Sequence, residues 1–257
     1  DAIAHVVRCF EDSDITHVEG KIDPINDIET IETELMLADL ESLEKRVGPL
    51  EKKAKGGDKE SKEQLALMTK ALDLLREGKP ARNAMLTPEE REPYKRLQLL
   101  TEKPVLYVCN VEEESAATGN APSQRVGDMA KRQGAGVVVI SARIEEEVAQ
   151  LPTGEREDFL ASLGLKEPGL DRLIRAGYDL LGLITFFTAG PKEARAWTIH
   201  KGDHAPQAAG AIHTDFEKGF IRAETIAYDD YIAHRGEAGA RDAGRLRLEG
   251  KDYPVAD

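Results

Sequence analysis

Residues 104–113, PVLYVCNVEE, decide the fold. Val105, Leu106, Tyr107, Val108 and Cys109 form an unbroken apolar run, rich in β-branched and aromatic side chains, which reads as a strand buried on both faces. The run stops at Asn110-x-x-Glu113. In a doubly wound sheet, ligands bind at the carboxyl ends of the strands, so Asn110 and Glu113 are the first residues to explain. About 30 residues on, Val137-Val138-Val139-Ile140 makes a second apolar run ending in Ser141-Ala142. Residues 3–10, IAHVVRCF, make a third.

Working outward, the residues between these runs are helical in pattern. From Asp27, apolar residues at Ile28, Ile31, Leu35 and Ala38 step by three and four. Leu40, Leu43, Val47, Leu50 and Ala54 repeat the steps with a slip in phase, which gives a long amphipathic helix with a kink expected at Gly48-Pro49. Gly56-Gly57-Asp58 is a strong turn signal. Leu65, Met68, Leu72 and Leu75 then begin a second helix, so the pair reads as an antiparallel hairpin. Thr87-Pro88-Glu89-Glu90 looks like another helix start. Strand-helix alternation returns through residues 137–140 and a helix near 170–181, which favours a parallel sheet covered by helices. The hairpin is then an insertion in one α/β domain. From Ile184 the grain changes: ITFFTAG, ARAWTIH, a short helix and FIRAETIAY suggest a small separate α+β module.

Composition narrows the classes. A chain of 257 residues with 40% apolar content can pack two or three domains. The longest near-continuous apolar stretch, 180–187, is about half of what a bilayer span needs, so no membrane partner and a cytoplasmic location are expected. Cys9 and Cys109 each end an apolar run and read as buried thiols, with no disulfide framework or metal site. A net charge of −13 argues against a surface that embraces nucleic acid throughout, and DNA is not an expected partner. Residues 42–97 nevertheless carry 14 Lys or Arg against 10 Asp or Glu, so a basic excess is local. Lys45, Arg46, Lys52, Lys53, Lys55, Lys59 and Lys62 gather near the hairpin turn. The chain opens at Asp1-Ala2-Ile3 and closes at Tyr253-Pro254-Val255-Ala256-Asp257, and a longer parent polypeptide is expected.

The strand ends carry the chemistry. A carboxamide offers donors and an acceptor, so Asn110 can bond a purine at N7 and, for adenine, at the N6 amine. In the usual Asn-Lys-x-Asp motif of GTPases, the Asp accepts from guanine N1 and N2 while the Lys stem covers the ring. Here Val111 replaces the Lys and Glu113 the Asp, and the longer carboxylate should miss the guanine edge and admit ATP. The same four residues also suit a plain turn with a helix cap. Ser141-Ala142, at a compatible distance, would close the other side of a base pocket. No Gly-x-x-x-x-Gly-Lys-Ser/Thr occurs, so these residues offer no cradle for β- and γ-phosphates and should not hydrolyse a nucleotide alone. His17, in the polar loop DSDITHVEG, suits a surface histidine. His200 and His204 have metal-ligand spacing but flank a turn-like Lys201-Gly202-Asp203. Asp179-Leu180-Leu181-Gly182 matches a magnesium-switch pattern at the end of an apolar helix, where it reads as accidental.

Long strings add a resemblance. DAIAHVVRCFED, IETELMLADLESLEKR, KKAKGGDKE, LTEKPVLYVCNVEE, EPGLDRLIRAGYDLLGLITFFTAGPKEARAWTI and APQAAGAIHTDFEKGFIRAETI resemble the YchF/Ola1 ATPases, a branch of the Obg-related P-loop GTPases. The resemblance covers essentially the whole chain. It implies an α/β fold: part of a P-loop NTPase G domain, residues 1–29 and 98–182, with the phosphate-binding portion and switch regions absent. It further implies an inserted helical coiled-coil hairpin, 30–97, and a C-terminal β-grasp TGS domain, 183–257, lacking its last strand. Asn110 and Glu113 fall on the family's Asn-x-x-Glu motif, associated with preference for ATP over GTP, and Val111 falls where the family contacts the base through its backbone. His17 corresponds to a histidine proposed to replace the missing catalytic glutamine. The implied activity is hydrolysis of ATP, and less selectively GTP, with Mg²⁺. The implied partners are the ribosome and ribosomal RNA, with Lys52, Lys53, Lys55 and Lys59 as a contact surface or, alternatively, a solvated helical face. A regulatory switch in translation or stress response, with hydrolysis incidental, is the rival reading.

Overall fold

The computed structural model describes residues 1–11, 22–190 and 192–256. The chain divides into two compact units, Asp1–Leu180 and Leu181–Asp257. In the first, β1 (Ile3–Arg8), β2 (Val105–Asn110) and β3 (Gly136–Ile140) form a parallel sheet in that order. Register runs Arg8↔Asn110 and Asn110↔Ile140 at the carboxyl end. The central strand is buried from Val105 to Cys109. On one face Val7, Cys9, Tyr107, Cys109 and Val111 pack with Ile28 of α1 (Pro24–Lys55) and with Val126, Met129 and Ala130 of α4 (Ala121–Gln133). On the other, Leu106, Val108 and Val138 meet Leu173, Ala176 and Leu180 of α7 (Gly169–Leu181). Helices on both faces are what a run with no polar alternation demands.

Cys9 and Cys109 are both fully buried and unoxidised. Their mutual hydrogen bond and then burial push the Cys9 thiol up, while the same bond holds the Cys109 thiol below its usual value, and both side chains pack in the sheet core.

The helical arm follows from its apolar seam. Leu43 of α1 meets Leu67, Met68, Ala71, Leu72 and Leu75 of α2 (Lys59–Arg76), with Leu40, Val47 and Leu50 alongside. The turn uses Gly57 at φ 96°, a conformation that side chains with a Cβ resist. Asp58 caps α2 by accepting from Ser61 N at 3.1 Å. As the long helix expected from its sequence, α1 runs 32 residues without a break through Gly48 and Pro49. Pro49 removes one backbone donor, yet both residues are exposed and the flanking Val47 and Leu50 are held in the seam. Beyond α2, α3 (Pro88–Lys95) starts with the capping box Thr87/Glu90 that its sequence announces.

The root of the arm is a buried polar knot. Asp39, 3% exposed, accepts from Leu100 N at 2.8 Å, Thr101 N at 2.8 Å and Thr101 Oγ at 2.7 Å. Thr101 Oγ in turn accepts from Ala81 N at 3.1 Å, and the Tyr94 hydroxyl donates to Ala81 O at 2.9 Å. Arg46 reaches Leu97 O at 2.9 Å, and Arg82 pairs with Glu32. Every one of these bonds ties a helix of the arm to the segment entering β2, or ties that segment to itself.

In the second unit β4 (Leu183–Ala189) and β5 (Ala194–His200) form an antiparallel pair around Ile184 and Ile199, which pack on Ala208 of α8 (Ala205–Ile212). The strand expected through FIRAETIAY is only Ala223–Thr225, β6, and it pairs with Arg247–Glu249, β7, as a separate two-stranded ladder. Tyr228 instead opens a short helix, α10 (Tyr228–Ala233), with Asp229 and Asp230 in its first turn where a helix dipole favours them. A further helix, α11 (Glu237–Asp242), contains Gly239, where any Cβ would fall on the His234 carbonyl. Asp203 accepts from His200 N at 2.9 Å, so the His200–His204 segment is the turn its sequence suggested. Among the described residues no helix is long and apolar enough to cross a membrane.

Candidate functional site

The site lies just beyond the paired ends of β2 and β3. Because Asn110 and Ile140 are in register, the loops 110–113 and 141–143 leave the sheet side by side. Three bonds cross between them. Val111 N donates to Ile140 O at 2.9 Å, Ala142 N donates to the Asn110 side-chain Oδ1 at 2.9 Å, and Arg143 Nε meets Glu113 Oε1 at 2.8 Å. Asn110 is half-buried and Ala142 exposed, so the carboxamide is only partly covered between the loops. With Oδ1 engaged, its Nδ2 has no partner among the described residues and offers donors to an acceptor such as a purine N7. Ser141 is buried at the N-terminus of α5 (Ala142–Gln150).

The structure therefore brings together Asn110 and Glu113 with Ser141 and Ala142 from two segments about 30 residues apart. It moves Val111 elsewhere. That side chain is 3% exposed and belongs to the sheet core with Val7, Cys9 and Val126, so only its backbone, whose N–H bonds Ile140 O, lies between the two loops. Strand alternation extended two residues past Cys109 carries the signal. His17 lies outside the described residues.

Residues that the motif reading missed hold the loop rigid. The Glu112 carboxylate accepts from Asn120 Nδ2 at 3.1 and 2.9 Å and from the Ser115 hydroxyl, while Asn120 Nδ2 also donates to Cys9 O at 2.6 Å. Burial alone would push the Glu112 carboxyl up, but the bonds from Ser115 and Asn120 prevail and hold it below the usual carboxylate value. This knot fixes the loop after β2 to the end of β1. On the other side, Glu145 accepts from Gly169 N at 2.7 Å and Leu170 N at 3.0 Å, capping α7 and setting the pitch of α5. Proximity in sequence could have flagged Ser115 beside Glu112. Nothing in sequence pairs Glu145 with Gly169.

The hairpin lysines are a separate surface. Lys52, Lys53, Lys55 and Lys59 are all exposed around the turn. Lys55 and Lys59 make loose i,i+4 contacts with Glu51 at 3.9 Å and Glu63 at 3.7 Å, while Lys52 and Lys53 have no ion pair among the described residues. Among the described residues no group of three or more His, Cys, Asp or Glu side chains could hold an ion.

Comparison with known proteins fits this arrangement. Residues 183–257 match the family YchF-GTPase_C, described as a protein of unknown function (DUF933). The chain is 55% identical over all 257 residues to the Ribosome-binding ATPase YchF of Haemophilus influenzae, spanning 70% of that protein. It is 51% identical over 259 aligned residues to the protein of the same name from Bacillus subtilis, spanning 71% of it. The solved Schizosaccharomyces pombe YchF GTPase superposes with a TM-score of 0.82 at 36% identity, over 100% of this chain and 70% of that one. With identity this high over the whole length, the chain belongs to the YchF family.

Proposed function

We propose that this chain supplies the base-binding wall and the partner-binding arm of a nucleotide hydrolase that takes ATP, and GTP less selectively, to the nucleoside diphosphate and phosphate while associating with the ribosome. The observation that carries this reading is the cross-loop bond from Ala142 N to Asn110 Oδ1, which presets the carboxamide at the carboxyl end of a parallel sheet. The curated relatives are named ribosome-binding ATPases, which agrees with it. In this reading Asn110 donates to N7, Ser141 and Ala142 close the second side, and the backbone at Val111 lines the ring. Glu113 sets the base preference, and His17 positions the attacking water. Mg²⁺ would neutralise the phosphates of the bound nucleotide. Among the described residues no group of three or more His, Cys, Asp or Glu side chains could hold it, so its ligands are assigned to none of them and no step here runs through it.

Glu113→Asp in the full-length protein tests the base pocket. A shorter carboxylate reaches guanine N1 and N2, so the affinity for GTP relative to ATP should rise by about 10-fold, the equivalent of one good charged hydrogen bond. Competition of ATP and GTP for one fluorescent nucleotide reads this out, and an unmoved ratio removes Glu113 from the selectivity argument.

The arm carries the second part of the proposal, on the exposure of its four lysines. We further read residues 30–97 as a coiled-coil docking arm and the second unit as a TGS-type module, with ribosomal RNA as the polyanion that the lysines meet. Changing Lys52, Lys53, Lys55 and Lys59 together to Glu should abolish co-sedimentation with ribosomes while ATP turnover persists. For every lysine–phosphate pair removed, the salt dependence should also flatten by about one in log–log slope. Unchanged sedimentation would show that the tip does not dock. If nucleotide turnover fell with sedimentation, the switch reading, in which occupancy governs docking, would gain over a passive arm.

A further inference from the structure

We infer that Arg143 is a positioning residue for base selectivity, acting through Glu113; this rests on the base-pocket reading above. Arg143 Nε lies 2.8 Å from Glu113 Oε1, directly beyond the Asn110–Ala142 bond. Both members are solvent-accessible, with 76% of the Arg143 and 38% of the Glu113 side chain exposed. An ion pair so exposed contributes little to the fold. Its consequence is where it keeps the carboxylate.

The two purines make opposite demands on that carboxylate. Guanine presents N–H donors at N1 and N2, and a free carboxylate facing them accepts both. Adenine presents a lone pair at N1 and only C–H at position 2, so a free carboxylate there is repelled and gains nothing. A guanidinium that engages Glu113 therefore acts twice: guanine has to compete with it for the carboxylate, and adenine is spared the unpaired negative charge. Length alone, Glu in place of Asp, accounts for weak guanine contact. It does not account for tolerance of adenine next to an anion, and the Arg143 contact does. Arg143 sits in the first turn of α5, one residue past Ala142, so the helix that closes the pocket also delivers the charge.

The test uses the full-length protein with Mg²⁺, with ATP and GTP each displacing a fluorescent adenine nucleotide. Arg143→Ala should weaken ATP and strengthen GTP, moving the affinity ratio toward GTP by about 3- to 5-fold, the range that an exposed ion pair can supply. Arg143→Lys should keep most of the wild-type ratio, because it keeps the charge. In a Glu113→Gln background, Arg143→Ala should change nothing further, since the group it acts through is neutral. A purely structural role for Arg143 would weaken both nucleotides alike and persist in that background. If both nucleotides bind and Arg143→Ala leaves their ratio unmoved, the inference is wrong and the pocket stands. If the wild-type protein binds neither nucleotide, the pocket itself fails and the inference falls with it.

Discussion

Asp39→Ala should lower the unfolding free energy by about 3–5 kcal/mol, measured as the midpoint and slope of urea unfolding. The carboxylate accepts three hydrogen bonds in a site where it is 3% exposed, and two of the donors are backbone N–H groups of Leu100 and Thr101. Removing the acceptor strands both donors where water does not readily replace it, and each stranded buried donor costs about 1–3 kcal/mol. Asp39→Asn should fall between the two. It retains one acceptor oxygen but introduces an N–H pair facing backbone donors. The loss should also loosen Thr101, whose hydroxyl holds Ala81 N, so protection from amide exchange should drop first at residues 81 and 100–101. An Asp39→Ala protein as stable as the wild type would mean that the arm is held by its apolar seam alone.

Val111→Lys should be still more damaging, costing about 4 kcal/mol or more and giving largely insoluble protein. Lys is what the usual GTPase motif carries at this position. Here the side chain points into the core beside Val7, Cys9 and Val126, apolar neighbours that cannot pair with an ammonium. Val111→Ile, which stays apolar, should express and melt close to the wild type, and so separates burial of charge from change of shape. A soluble, fully stable Val111→Lys protein would place the side chain at the pocket instead. Restoring a GTPase motif by exchanging both Val111 and Glu113 is therefore not a clean experiment, and base preference has to be probed at Glu113 and Arg143.

Three strands, the hairpin turn and the α3 start are legible in the sequence because each has a strong local cause. Residues 105–109 are apolar without interruption, Gly57 and Asp58 satisfy the turn and the cap, and Thr87-Pro88 with Glu90 makes a capping box. Asn110 and Ser141 are placed correctly at strand ends for the same reason. What fails depends on partners remote in sequence. Nothing local marks Glu112 or Arg143, because their partners Asn120 and Glu113 are brought to them only by the fold. In the second unit the β6–β7 pairing joins residues more than twenty apart across two short helices, which no periodicity announces.

The unbroken arm has an electrostatic consequence. From Asp39, where α1 is anchored, to Lys55 at its end there are sixteen residues of helix, or about 24 Å of rise. At physiological ionic strength the Debye length is about 8 Å, so roughly three screening lengths separate the lysines from the anchored root. Attraction decays over that distance to a few per cent of its unscreened strength. A chain with a net charge of −13 thereby holds its tip, five lysines interleaved with Glu51, Asp58, Glu60 and Glu63 over residues 51–63, where the acids beyond the root are largely screened. A shorter or broken arm would draw the same lysines back into the negative field.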